Sequence, residues 1–144
     1  MPGTNLRHET DVPKTVLIVE DNQDNRLIYS QYLSHAGYRI LEAGNGVDGI
    51  HLALRERPDL VLMDISMPFM DGLTATRYLK ADPAVQAIPV IALTAHAMPA
   101  DADLARAAGC DGYIAKPVMP REVRSEIERW IGPAVHEEAA GPAD

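Results

Sequence analysis

Five side chains have the types that phosphoryl chemistry requires: Glu20 and Asp21, Asp64, Thr94 and Lys116. Three carboxylates held within a few ångströms of one another repel, and raise one another's pKa values unless a cation stands among them. A hard divalent ion with oxygen ligands relieves that repulsion. Magnesium usually takes one or two carboxylates, several waters and a phosphate oxygen, which suits this sparse set better than calcium does. The lysine would hold a phosphoryl oxygen as a point charge, and the threonine hydroxyl could donate one more hydrogen bond. An aspartate nucleophile, Mg2+, an ammonium and a hydroxyl together make a phosphoryl-transfer site.

Taken singly, each residue has a plainer reading. Glu20-Asp21 could be a solvated turn into a helix, Asp64 a loop aspartate, Thr94 a helix-entry residue and Lys116 an ordinary strand exit. Their positions relative to the apolar blocks argue otherwise. Blocks at 16–19 (VLIV), 60–63 (LVLM) and 90–93 (VIAL) read as strands buried on both faces, the mark of a central parallel sheet. Weaker candidates at 39–43 (RILEA) and 112–115 (GYIA) suit sheet edges. Apolar segments start at 16, 40, 61, 90 and 113, and each interval holds one strand, one helix and two short loops. That is the rhythm of repeated βα units.

In an open α/β sheet, ligands bind outside the carboxyl ends of the strands, where the strand order reverses. Glu20 and Asp21 follow the first strand, Asp64 the third, Thr94 the fourth and Lys116 the fifth. The second strand runs into Ala43-Gly44-Asn45-Gly46, which carries no chemistry. Order 2-1-3-4-5 would put that strand at an edge and converge the other four ends on one spot. The fold class expected is therefore α/β: a flavodoxin-like, doubly wound, five-stranded parallel sheet with five helices.

Helix signals fill the gaps. The first helix covers about 23–36, with Ile28, Tyr32 and Ala36 spaced by four and Gly37 after it. The second covers 47–57, with Val47, Ile50 and Leu54 on one face, and the third 72–81. The fourth spans 99–108, with proline in its first turn and Gly109 beyond its end. The last spans 120–131, with Val123, Ile127, Trp130 and Ile131 as an apolar stripe. The folded unit is thus expected over 14–131, between disordered tails at 1–13 and 132–144.

Composition narrows the class of function. Of 144 residues, 47% are hydrophobic and 24% charged, which excludes a disordered chain or a fibre. The net charge of −8 disfavours direct nucleic-acid binding and anionic membranes. One cysteine, Cys110, permits no internal disulfide and suits a reducing cytoplasm, and no apolar run is long enough to cross a bilayer. Cys110 and the methionines near the site (Met63, Met67, Met70 and Met98) read as packing. The five histidines show no metal-ligand spacing, and His96 reads as a loop residue.

VLIVEDN at 16–22, LVLMDISMPFMDG at 60–72, VIALTA at 90–95 and GYIAKP at 112–117 resemble the receiver domain of bacterial response regulators. The resemblance covers about 14–131 and is nearest to stand-alone receivers of the cell-division and differentiation type. EDNxxNR at 20–26 is also common in receivers attached to hybrid sensor kinases. The resemblance implies a phosphorylation switch of a two-component system, not a turnover enzyme. Asp64 would accept the phosphoryl group from a histidine kinase or phosphotransfer protein. Asp21 and Asp64 would ligate Mg2+ directly, Glu20 through water, and Ser66 through its backbone carbonyl. Thr94 and Lys116 would contact the phosphoryl group, and Thr94 and Tyr113 would form the switch pair. Pro68 and Gly72 also fit the family's pattern after Asp64. Ser66, in place of a more often larger residue, and His96 depart from it, and both bear on phosphate lifetime. Only about 5–6% of X–Pro bonds are cis, but the resemblance implies a cis bond between Lys116 and Pro117.

Output is then expected through changed protein–protein binding at the face of the fourth helix, fifth strand and fifth helix, by a monomer or weak dimer. A phosphorelay intermediate is the alternative. A phosphatase with an aspartate nucleophile would need a second acid two residues on, where Ser66 and Gln23 stand instead. A nucleotide-binding module would need a glycine-rich loop in place of Glu20-Asp21-Asn22.

Overall fold

A strand with no polar face can avoid water only by being covered on both sides, and three such strands build the centre of the sheet. The computed structural model describes residues 12–65, 71–95 and 98–135. Every residue of β1 (Thr15–Val19), β3 (Leu60–Asp64) and β4 (Val90–Thr94) is buried. The partly exposed β2 (Arg39–Ala43) and β5 (Gly112–Ala115) lie at the edges. All pairings are parallel and the order is β2-β1-β3-β4-β5. Among the described residues there are also five helices: α1 (Gln23–His35), α2 (Gly46–Glu56), α3 (Gly72–Ala81), α4 (Pro99–Ala108) and α5 (Pro120–Ile131).

The period-2 alternation of each strand divides the core into two layers. Val16, Ile18, Leu60, Leu62, Ile91 and Leu93 pack with Tyr29 and Leu33 of α1 and Val123 and Ile127 of α5. Leu17, Val19, Val61, Met63, Val90 and Ala92 pack with Ala53 of α2, Ala75 and Leu79 of α3 and Ala105 of α4. The register sets Val19 beside Met63, Asp64 beside Leu93 and Thr94 beside Ala115, so the strands end nearly level. Three helices start on a side-chain cap: Asn22 accepts from the Asn25 amide, Asn45 from Asp48 and Asp71 from Thr74.

Three expectations need correction. On α1 the buried residues are Tyr29, Ser30 and Leu33, whereas Ile28 is 52% exposed. The two stripes are adjacent and both have helical spacing, so period alone could not choose between them. On α2 Ile50 and Leu54 pack against the core as expected, but Val47 is exposed and the fully buried residues are Gly46, Gly49 and Ala53. A Cβ on Gly49 would stand 2.9 Å from Val19 Cγ2, so this helix lies too close to the sheet for a large residue. The third concerns the end of the fold. Residues 132–135 are folded onto the body: Ala134 is buried in the α1/α5 layer, its carbonyl accepts from the Lys14 amide at 2.7 Å, and Tyr38 Oη donates to the Gly132 carbonyl. The expected tails at 1–11 and 136–144 lie outside the described residues.

Candidate functional site

Because the strands end level, the residue that leaves each one reaches the same edge of the sheet. Glu20 directly follows β1, and its amide donates to the Ala43 carbonyl of β2 at 3.0 Å. Asp64 closes β3 and Thr94 closes β4. Lys116 follows β5, anchored by its amide to the Thr94 carbonyl at 2.7 Å. Its bond to Pro117 is cis. Glu20, Asp64 and Thr94 are almost wholly buried, and Asp21 faces solvent.

Ligand oxygens of Glu20, Asp21 and Asp64 lie within 4.8 Å of one another. Lys116 Nζ stands 3.0 Å from Glu20 Oε1 and 3.7 Å from Asp64 Oδ2. Burial, the contact with Asp64 and that neighbour's charge push the Glu20 carboxyl up to about 7, against the pull of Lys116 and the Asn22 amide. Burial works against the Lys116 ammonium, but the hydrogen bond to Glu20 and the charges of Asp64 and Glu20 outweigh it and leave its pKa raised. Three carboxylates against one ammonium leave an excess of negative charge where water is scarce. Two buried acids and one exposed acid, all offering oxygen, fit a small hard dication that keeps part of its water shell.

The β3–α3 connection is held close. A Cβ on Gly72 would press on the Asp64 carbonyl oxygen and come within 2.6 Å of Ile65 Cα, so only glycine lets α3 begin against the strand that carries Asp64. Tyr113 is half-buried in β5, opposite Ala92. Ser66, Met67, Pro68, Met70 and His96 lie outside the described residues. Beside Lys116, a groove of about 350 Å³ opens between α1 and the start of α5, lined by Ile28, Tyr29, Pro117, Val118 and Pro120 among others.

Two residues to which the sequence reading gave no role border the site. Arg26 Nη1 donates to the Glu20 carbonyl at 2.7 Å, and Arg26 Nε donates to Glu42 Oε1 at 3.0 Å. The only sequence signal was the place of Arg26 inside the EDNxxNR motif.

Residues 16–128 match the family described as the response regulator receiver domain. The polar-differentiation response regulator DivK of Brucella anthropi is 42% identical over 124 residues, 85% of this chain and 100% of that protein. DivK of Brucella ovis is 40% identical over 122 residues, 84% of this chain and 98% of the relative. Among solved structures, the chemotaxis protein CheY4 of Vibrio cholerae superposes with a TM-score of 0.79 at 26% identity, covering 82% of this chain and 98% of that one. The receiver domain of the sensor histidine kinase PA1611 from Pseudomonas aeruginosa, with magnesium coordinated in its active-site cleft, gives 0.77 at 37% identity, covering 83% and 98%.

Proposed function

The chain belongs to the response regulator receiver-domain family, and from that premise we propose that it is a Mg2+-dependent phosphorylation switch whose acceptor is Asp64. The observation that carries this reading is the convergence of Glu20, Asp21 and Asp64 within 4.8 Å, with Lys116 Nζ 3.7 Å from Asp64. Asp21 and Asp64 would hold the ion directly and Glu20 through water, with the Ser66 carbonyl as a further ligand outside the described residues. When bound, Mg2+ supplies the charge that offsets the developing negative charge on the phosphoryl oxygens.

The chain's own groups do the rest. An Asp64 carboxylate oxygen attacks phosphorus as the bond from phosphorus to the donor's histidine nitrogen breaks, and the electron pair stays on the imidazole. Lys116, held at the pocket through its bond with Glu20, takes one phosphoryl oxygen. The Thr94 hydroxyl donates to another. The groove of Ile28, Tyr29, Pro117 and Val118 would give the histidine-bearing donor, a kinase or phosphotransfer protein, an apolar seat beside Lys116. The product is one acyl phosphate per chain, formed in the cytoplasm and read by a protein partner. A relay role, passing the phosphoryl group on to a phosphotransfer protein, is the second reading, favoured by the 37% identity to the receiver of a sensor histidine kinase.

The test is incubation with Mg2+ and a small acyl-phosphate donor, followed by mass spectrometry. The expected result is one base-labile phosphoryl group on Asp64, absent from Asp64→Asn and lost on chelation. Phosphate on a serine or threonine would overturn the reading.

A further inference from the structure

We propose that Arg26 is a positioning residue that orients Glu20 and Asp21 for the metal, with Glu42 and Ser30 acting through it; the inference rests on the phosphoswitch reading above. The Glu20 carbonyl that accepts from Arg26 Nη1 belongs to the peptide unit joining Glu20 to Asp21. That unit is planar, so fixing its oxygen fixes the directions in which both acidic residues leave it. On the other side, the Glu20 amide is held by the Ala43 carbonyl at 3.0 Å. Arg26 thus completes a two-sided clamp on Glu20, the first residue of the acidic turn after β1.

The clamp has its own support. Arg26 Nε donates to Glu42 Oε1 at 3.0 Å, and the other Glu42 oxygen accepts from the Oγ of Ser30, one turn along α1, at 2.9 Å. Only 19% of the Arg26 side chain is exposed. A Cβ on Gly44 would stand 3.3 Å from Arg26 Nη1, so the backbone after β2 closes over the guanidinium. A guanidinium can donate to a carbonyl and a carboxylate at once from separate nitrogens. The single nitrogen of a lysine cannot reproduce that fork.

Charge and geometry make opposite forecasts here. A cation beside an acidic pocket repels a second cation, so electrostatics alone has Mg2+ bind more tightly once Arg26 is neutralised. Positioning has it bind more weakly. The experiment is a Mg2+ titration of the isotope-labelled full chain, following the backbone amides of Asp21 and Asn22 by NMR, with a thermal melt of each variant. Arg26→Gln should weaken Mg2+ about 10-fold, the scale on which groups that orient metal ligands act. Arg26→Lys, which keeps the charge, should weaken it as well. Glu42→Ala should shift affinity the same way, and the double variant Arg26→Gln/Glu42→Ala should be no weaker than Arg26→Gln alone.

Unchanged or tighter Mg2+ binding in Arg26→Gln would overturn the inference, whatever its melting temperature, and leave the phosphoswitch reading standing. Restoration of wild-type affinity by Arg26→Lys would overturn it too, because charge would then suffice. No saturable Mg2+ shift in the unsubstituted chain would overturn the phosphoswitch reading itself, and this inference with it.

Discussion

Asp64, Glu20 and Lys116 form a group whose charges do not balance, and the imbalance sets up a contest between stability and use. Two almost wholly buried carboxyl groups share one ammonium, and Glu20 is pushed up to about 7 by burial first and by Asp64 second. A site kept ready for a dication is a site the folded chain holds at some cost without one. Asp64→Asn removes one buried charge and keeps the shape. It should therefore raise stability by about 1–2 kcal/mol in metal-free buffer while abolishing phosphorylation. Urea titrations at pH 7.5 measure this, and saturating Mg2+ should narrow the gap by stabilising the unsubstituted chain alone. A metal-free Asn variant less stable than its parent would contradict the reading of the pocket as overcharged. Cys110 makes a contrasting residue-scale case. The residue is 8% exposed, and its thiol contacts Thr76 Oγ1 at 3.8 Å and has its pKa pushed up by burial. A chromogenic disulfide reagent should consume it only at the rate of unfolding, which denaturant jumps can confirm.

At the scale of elements, what could be read from the chain depended on how few ways an element had to satisfy its side chains. Blocks such as VLIV and LVLM have no face fit for water, so their central place in the sheet was legible, and with it the edge positions of β2 and β5. The face of α1 was not, because two adjacent stripes share the helical spacing, and that of α2 was legible only in Ile50 and Leu54, since Gly49 and Ala53 owe their burial to a close approach that no hydrophobic scale rewards. Acids and a lysine at strand ends announce a site through their types. The bond from Arg26 to the Glu20 carbonyl does not, since every residue has a carbonyl. The fold of residues 132–135 was missed for the same reason: it depends on the backbone bond from Lys14 to Ala134 and on Tyr38 reaching Gly132. That contact can be tested by pH. Burial, then the charge of Glu128, push the Tyr38 hydroxyl up to about 12 against the effect of Arg124. The folded state therefore holds this proton more tightly than the unfolded chain, whose tyrosine titrates near 10. The stabilisation is complete below about pH 10 and is lost as pH rises through about 12. Tyr38→Phe should cost about 1 kcal/mol at pH 8, and its stability should fall less steeply than that of the parent between pH 10 and 12. A parallel fall in urea midpoints would show that Tyr38 carries none of it. Gly72→Ala tests an element junction. The new methyl would meet the backbone of Asp64 and Ile65, and should cost about 1–3 kcal/mol by displacing α3 or the end of β3. Thermal melts would show it, together with slower phosphorylation of Asp64.

Across the whole molecule, anchoring is uneven, and the weak side is where a signal is expected to leave. The helices α1, α2 and α3 begin on the side-chain caps of Asn22, Asn45 and Asp71. By contrast α4 begins at Met98 with no side-chain cap, buries only Ala105 and Ala108, and leaves Leu104 51% exposed. Little apolar surface holds it to the sheet, so a shift of α4 is cheap compared with a shift of any other helix in its layer. Thr94 ends the strand just before it, and Tyr113 stands half-buried in the neighbouring β5. On the proposed reading, a phosphoryl group on Asp64 that accepts a hydrogen bond from Thr94 would draw that side chain inward and vacate space beside β5 into which Tyr113 could turn. The surface expected to change with that movement is the one made by α4, β5 and α5, where Met98, Leu104 and Trp130 are exposed. A coupling of about 1–3 kcal/mol between phosphorylation and this surface would change partner affinity about 5- to 150-fold. Thr94→Ala should still be phosphorylated yet lose most of that change, and Tyr113→Ala should alter it without weakening Mg2+. Amide hydrogen exchange with and without a beryllofluoride mimic decides the matter. Altered protection in α4 and β5 is the expected result, and changes confined to the loops around Asp64 would show that the signal leaves by another face.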